Sequence, residues 1–329
     1  MTRCATILRG AGLGALLLLA WPANAAEWAE IPYDPPVGSR WMVRAVSHSQ
    51  QNRAPDTTVT SIIRSKADMT IDGKADDGFR ITYVTRELSI DGNAPSVPVM
   101  RPVFATFRGV VIRARTDRTG KPVAIENLDE VRAAMRKLVD RATAPFADKP
   151  EVAAVLRRIL EGMFIVDGAR AAEIYLQELP QVALGQSTGL KPGEERRTSE
   201  EKPSPIGGPP STTTSTLRIA SADPTTGTVR YERDLEIDPG GAKAFAAELT
   251  RQIVTAAGAG NNAAALERAT RGAEVSLENR SVIEVVGGIT RSVTATSKRM
   301  ITIAGRTVGS RNERTATVTA VAPKASRRR

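Results

Sequence analysis

Cysteine is nearly missing from this sequence: of 329 residues only Cys4 carries a thiol, and it lies in a leading stretch that reads as removable. No intramolecular disulfide forms from one thiol, and once Cys4 is gone, cysteine nucleophiles and thiolate metal sites are excluded. Histidine is equally scarce. His48 is the sole one, so a histidine-based triad has a single candidate base. Aromatic residues make up 4% of the chain, too few for the stacking platforms of nucleic-acid binders, so nucleic acid is not an expected partner. Long apolar runs are missing too. Ala11 to Trp21 covers about half of the roughly 20 residues a bilayer crossing needs, and no later segment is apolar enough to span one.

That short run is informative for what surrounds it. Arg3 and Arg9 give a positive start, Ala11 to Trp21 the apolar stretch, and Pro22 with Ala23-Asn24-Ala25 a breaker and small-residue cleavage site. Residues 1–25 therefore read as a secretory signal peptide. Cys4 precedes the apolar run, whereas a lipid-attachment cysteine would follow it. Removing 25 of the 329 residues leaves 304, from Ala26 to Arg329, in a periplasmic or otherwise secreted protein held by its core rather than by disulfides. The formal charge of +10 falls by the two arginines to +8. Such a basic exported protein is drawn towards anionic envelope components, or simply uses arginine as a surface filler.

Beyond the leader, period-two alternation dominates, the signature of half-buried strands. Trp41, Val43 and Ala45 share one face; Arg40, Met42, Arg44 and His48 share the other. Val59, Ser61, Ile63, Ser65, Ala67, Met69 and Ile71 then face one way, with Thr58, Thr60, Arg64, Lys66, Asp68 and Thr70 opposite. A turn over 72–78 leads to a returning strand with Phe79, Ile81 and Tyr83 inward. Val103 to Phe107 and Val110 to Arg115 are expected to continue the meander. No crossover helix separates these strands, so the sheet is antiparallel.

Asp117-Arg-Thr-Gly120 turns the chain towards three helices. Asn127 with Glu130 fits a capping box before Leu128, Val131, Met135, Leu138 and Ala142, and Asp148 with Glu151 repeats the device. Asp167 caps a third helix ending near Pro180. These helices are expected on the apolar face of the sheet, completing a region over 26–184. Residues 185–215, rich in proline, glycine and charge, read as a flexible loop or linker. Region 216–329 resumes with strands at Leu217 to Ala220 and Val229 to Ile237, then a helix over 239–257 behind an Asp238 cap. A C-terminal meander follows, with Gly287-Gly288 as a hairpin turn. The two halves resemble each other faintly, which either an ancient duplication or two separate β-to-α passages would produce.

Candidate chemistry is thin. His48 sits on a polar face with Arg40 and Arg44, which favours a solvated side chain over an oriented base. Ser199-Glu-Glu-Lys202 matches a serine–lysine pattern, but outside a helix and directly before Pro203. Asp72, Asp76, Asp77 and Gly78 miss a calcium loop, since Lys74 occupies its third position. The pairs Asp129/Glu130, Glu194/Glu195 and Glu200/Glu201 cap or solvate. Gly258-Ala-Gly260 lacks the lysine of a phosphate loop, and Ser326-Arg-Arg-Arg329 is a small cationic tail. No residue set nominates a catalytic, cofactor or metal site.

The order of leader, Gly38-Ser-Arg-Trp41 opening strand, antiparallel meander, Asp117-x-x-Gly120 turn, capped helices and further long strands resembles that of uncharacterised exported bacterial proteins. It is also similar in layout to the lipoprotein-carrier proteins of the Gram-negative periplasm, in which a curved antiparallel sheet wraps helices around a greasy cavity. That resemblance carries no functional residue with it. The reading is an α+β protein with long curved antiparallel strands over a small group of helices. It is expected to bind or interact in the cell envelope without catalysis, holding an apolar or lipid-like ligand or docking on an anionic component. The alternative is a hydrolase of envelope polymers using two carboxylates brought together by folding, one with a raised pKa.

Overall fold

Alternation in the sequence becomes sheet in the structure. A computed structural model describes residues 28–54, 57–166, 168–202, 211–238, 240–241, 243–244, 247, 274–303 and 306–322. Their strands are β1 (Arg40–Ala54), β2 (Thr57–Ala75), β3 (Gly78–Gly92), β4 (Val111–Asp117), β5 (Pro122–Ile125), β6 (Glu195–Lys202), β7 (Ser211–Asp223), β8 (Thr228–Ile237), β9 (Glu274–Val286), β10 (Ile289–Ile303) and β11 (Arg306–Ala320). They form one open antiparallel sheet in the order β5-β4-β3-β2-β1-β11-β10-β9-β8-β7-β6. Sequence neighbours pair within β1–β5 and within β6–β11, β5 and β6 are the two edges, and at the centre β1 meets β11 with Val43 opposite Val318.

Hairpin chemistry sets the registers. Gly287 and Gly288 both have positive φ, 58° and 76°, as a two-residue type I′ connection demands. A Cβ on Gly288 would lie 2.5 Å from the Pro32 carbonyl oxygen, because the entry segment runs over this turn.

One face of the sheet carries α1 (Val97–Ala105), α2 (Leu128–Thr143), α3 (Pro150–Phe164), α4 (Gly168–Tyr175) and α5 (Leu179–Val182). The α2 stripe of Val131, Met135, Leu138, Val139 and Ala142 is buried and packs with Trp41, Val43, Met69, Ile71, Phe79 and Ile81 from the strands. This is the α+β arrangement expected, a long antiparallel sheet on a small group of helices. A smaller cluster of Ala45, Leu190, Val229, Tyr231, Ile283, Val285, Val293 and Ala316 lies beyond it.

Several local expectations change. Val103 to Phe107 is not strand: Val103 lies in α1, with Pro98 in its first turn, where a missing N–H costs nothing. The buried pair Val97 and Val103 with half-buried Met100 and Phe104 shows helical spacing that three nearby prolines obscure. Asn127 makes no side-chain cap; its Oδ1 accepts from Arg113 N–H (2.8 Å) and its Nδ2 donates to the Val111 carbonyl (3.1 Å), so it serves the β4 edge instead. At the second helix Lys149 occupies the cap position expected of Asp148.

The described parts of 185–215 are not a free linker. Gln186, Thr188 and Leu190 are buried, and Glu195–Lys202 forms β6, paired with β7 from Glu195↔Arg218 to Lys202↔Ser211. Its side chains from Glu195 to Glu200 are all exposed, so no apolar alternation announces it; charges protect this outer edge strand instead. Behind β8, Asp238 Oδ2 accepts from Gly241 N–H (2.8 Å), as a helix cap would, and Gly240, Gly241, Lys243, Ala244 and Ala247 are helical. The rest of the helix expected at 239–257, the 1–25 leader, Asp167, Gly258-Ala-Gly260 and the 326–329 tail lie outside the described residues.

Candidate binding site

Between β2, β3, β4 and the helices lies a cavity of about 120 Å³. Ile63, Ser65 and Ala67 of β2, Tyr83, Thr85 and Leu88 of β3 and Ile112 of β4 form its sheet wall. Phe104 of α1, Phe107, Met135 of α2, Phe164 of α3 and Ile174 and Tyr175 of α4 form the other. Phe107 stacks edge-on against Phe104 and Phe164, with centroids 6.5 and 5.2 Å apart. A chain with only 6 phenylalanines and 4 tyrosines thus commits Phe104, Phe107, Phe164, Tyr83 and Tyr175 to this one space. Aromatic scarcity in the composition conceals local concentration.

The floor of the cavity is polar. Glu178, between α4 and α5, is 6% exposed at its side chain. Its Oε1 accepts from the Ser65 hydroxyl at 2.9 Å and lies 3.5 Å from an Arg314 guanidinium nitrogen, and its Oε2 accepts from the Tyr83 hydroxyl at 3.3 Å. A buried carboxylate needs such partners to offset its lost hydration. Burial, and then the Glu178 charge and hydrogen bond, push the Tyr83 phenol well above its ordinary value. The cluster ties the helix layer to β2, β3 and β11 at once.

Two further hollows are present among the described residues. One of about 210 Å³ lies under the entry segment, between Trp28, Ile31, Val229, Tyr231 and Val285. The Glu30 carboxylate on its wall already accepts from Thr188 N–H (2.5 Å), the Thr188 hydroxyl (2.8 Å) and the Tyr231 hydroxyl (3.2 Å). The other, about 430 Å³, is an open groove among Lys66, Arg86, Glu87, Leu88, Ala105 and Arg108. Lys66 and Leu88 line both this groove and the aromatic cavity.

Residues singled out from sequence lie elsewhere. His48 is exposed on β1 opposite Glu313. Ser199 is in strand β6 and contacts the Thr214 hydroxyl at 3.0 Å. Asp72 accepts from the Thr82 hydroxyl at 2.7 Å, and among the described residues no group of three metal-ligating side chains assembles. Glu130 pairs with Arg113 at 2.7 Å. Among the described residues the carboxylates with a displaced pKa, Asp223 and Glu232, have it lowered chiefly by hydrogen bonds from Thr226 and from Arg218 respectively, opposite to what a general acid needs. Sequence reading missed Glu178, Ser65, Tyr83 and Arg314, which are 249 positions apart at the extremes (Ser65 to Arg314) and carry no shared motif; the one local signal was the Phe104-x-x-Phe107 spacing.

No family model matches this chain, and no curated protein matches it. Among solved structures, it is similar to lipovitellin, described for its lipid–protein interactions, with a TM-score of 0.39 and 10% identity. That likeness covers 89% of this chain but only 26% of the lipovitellin chain, so this chain spans about a quarter of it. DynF of the dynemicin biosynthesis pathway of Micromonospora chersina follows, with a TM-score of 0.21 and 6% identity over 91% and 88% of the two chains. An outer membrane channel of Pseudomonas putida F1 gives 0.19 and 8% identity over 89% and 99%. Scores this low carry no functional argument. Among the described residues no helix is long and apolar enough to cross a membrane.

Proposed function

We propose that this is an exported envelope protein that holds an apolar or lipid-like ligand between its sheet and its helices. The observation that supports this reading most directly is the aromatic-lined cavity of about 120 Å³ between β2–β4 and α1–α4. Dry apolar spaces of that order accept a ring or a short stretch of alkyl chain. Phe104 and Phe107, both only half-buried, stand on the short α1 segment and its exit, an element whose displacement would lengthen the space for a longer chain. Export rests on the 1–25 leader and its small-residue cleavage site.

The test for binding is native mass spectrometry of the purified protein for co-purifying lipid, together with titration of the neutral fluorophore N-phenyl-1-naphthylamine. Saturable fluorescence enhancement is expected, and Thr85→Trp, which fills the cavity, abolishes it while leaving the circular dichroism spectrum unchanged. Enhancement unaffected by Thr85→Trp and by a second filling variant, Ile63→Trp, would sink the reading. For export, residues 1–25 fused to a reporter active only outside the cytoplasm give signal, and a silent reporter removes that part of the proposal.

A further inference from the structure

A groove with charged walls borders the aromatic cavity and shares Lys66 and Leu88 with it. Strands β2 and β3 pair Lys66 with Glu87 but Ala67 with Thr85, which leaves Arg86 as an extra residue in a bulge. Such a bulge re-aims side chains. Tyr83 and Thr85 face the helices before it, and Leu88 and Ile90 face them after it, so the alternation changes phase at Arg86. The outcome is a groove in which Lys66, Arg86 and Arg108 gather beside the aromatic cavity. Arg86 is committed to Asp68, whose carboxylate lies 2.8 Å from its Nε. Glu87 opposes Lys66 across the strands. Among the described residues neither Lys66 nor Arg108 makes a salt bridge. Lys66 is half-buried and borders both spaces.

We infer that the ligand is an anionic amphiphile with a single alkyl chain, its tail in the aromatic cavity and its carboxylate or phosphate on Lys66 and Arg108. This rests on the cavity being the binding site. A neutral amphiphile would leave both cations solvated and gain nothing from them. A cationic one would be repelled.

Three competitors sharing one ten-carbon chain test this: decanoate, decanol and decyltrimethylammonium, each displacing N-phenyl-1-naphthylamine from the full-length purified protein near neutral pH. Decanoate should compete at about tenfold lower concentration than decanol, the gain two partly exposed charge contacts can give, with decyltrimethylammonium weakest. The gap should shrink as salt rises from about 0.05 to 0.5 M, as screening requires. Lys66→Ala with Arg108→Ala should bring decanoate to the decanol level. Arg108→Glu, on an exposed side chain that a fold tolerates, should favour the ammonium head. If decanol matches decanoate in the parent, or the gap survives both variants, the head-group assignment is overturned and the cavity reading stands. If neither probe nor competitors bind the parent, the cavity reading fails and takes this inference with it.

Discussion

The two halves of the sheet share one architecture and differ in what they place against it. Strands β1–β5 meet five helices with a face of Trp41, Val43, Met69, Ile71, Phe79, Ile81 and Tyr83. Strands β6–β11 offer Tyr231, Ile283, Val285 and Val293 near the centre, but also Thr213, Ser281 and two arginines. Arg233 is partly buried with its Nε donating to the Ser215 hydroxyl at 2.6 Å, and burial lowers its pKa; Arg314 answers Glu178. Antiparallel pairing alone builds a sheet, but the apolar face determines where it is firm and where it is weaker.

The largest effect should come from breaking the firm half. Leu176 is fully buried in its core, and Leu176→Ala is expected to cost ~2–5 kcal/mol in chemical denaturation. Leu217→Ala, at a half-buried position beside the smaller cluster, should cost about 1 kcal/mol. Equal costs would erase the difference between the halves. Next is the link between them. Glu178→Ala strands Arg314 and removes the acceptor of Ser65 and Tyr83, for an expected loss of about 3 kcal/mol. Adding Arg314→Met should recover part of it in a double-mutant cycle. Strict additivity would show that the pair does not couple the halves.

How legible these features were follows the same division. Trp41, Val43, Ala45 and the run from Val59 to Ile71 alternate because one face is dry, so sequence alone located them. Strand β6, with Glu195 to Glu200 all exposed, has no dry face and looked like a loop; its strand character comes from main-chain pairing to β7, which composition does not encode. The helix α1 was hidden by Pro95, Pro98 and Pro102, although Pro98 in a first turn is compatible with helix. The site was the least visible. Ser65 and Tyr83 were read correctly as inward residues, yet their meeting with Glu178 and Arg314 depends on how the helix layer seats, and the Arg86 bulge that joins cavity to groove shows only in the register.

Alkaline titration sharpens the comparison by a smaller effect. Burial raises the phenols of Tyr33 and Tyr83 in the helix-covered half, and moves Tyr231 in the other half to about 12. A phenol whose folded pKa exceeds its unfolded value of about 10 binds its proton more tightly when folded. Its contribution is complete below pH ~10 and is lost as pH rises through the folded value. Tm should therefore hold up to about pH 10 and fall beyond it. Tyr231→Phe should flatten the part of that fall between pH 10 and 12. An unchanged slope would mean that folding does not make Tyr231 hold its proton more tightly.

The smallest expected effect lies on the outer surface, where the second half compensates for its thin core. Arg218 bridges Glu232 at 2.8 Å and Asp234 at 2.9 Å, and Arg280 reaches Glu232 at 2.8 Å. Hydrogen bonds from Arg218, then Arg280, lower the Glu232 pKa. In the first half the Arg86–Asp68 contact is a single pair at 2.8 Å, while Asp91 is shared by Arg64 at 2.8 Å and Arg101 at 3.4 Å. Isolated exposed pairs contribute little because water and salt screen them, whereas several charges sharing one carboxylate hold a geometry more firmly. Arg218→Ala should thus produce a small fall in Tm, larger than that of Arg86→Ala. At about 1 M salt, where the Debye length is about 3 Å, the two variants should converge. Convergence already at low salt would show that the outer ladder of β7, β8 and β9 adds nothing to that half.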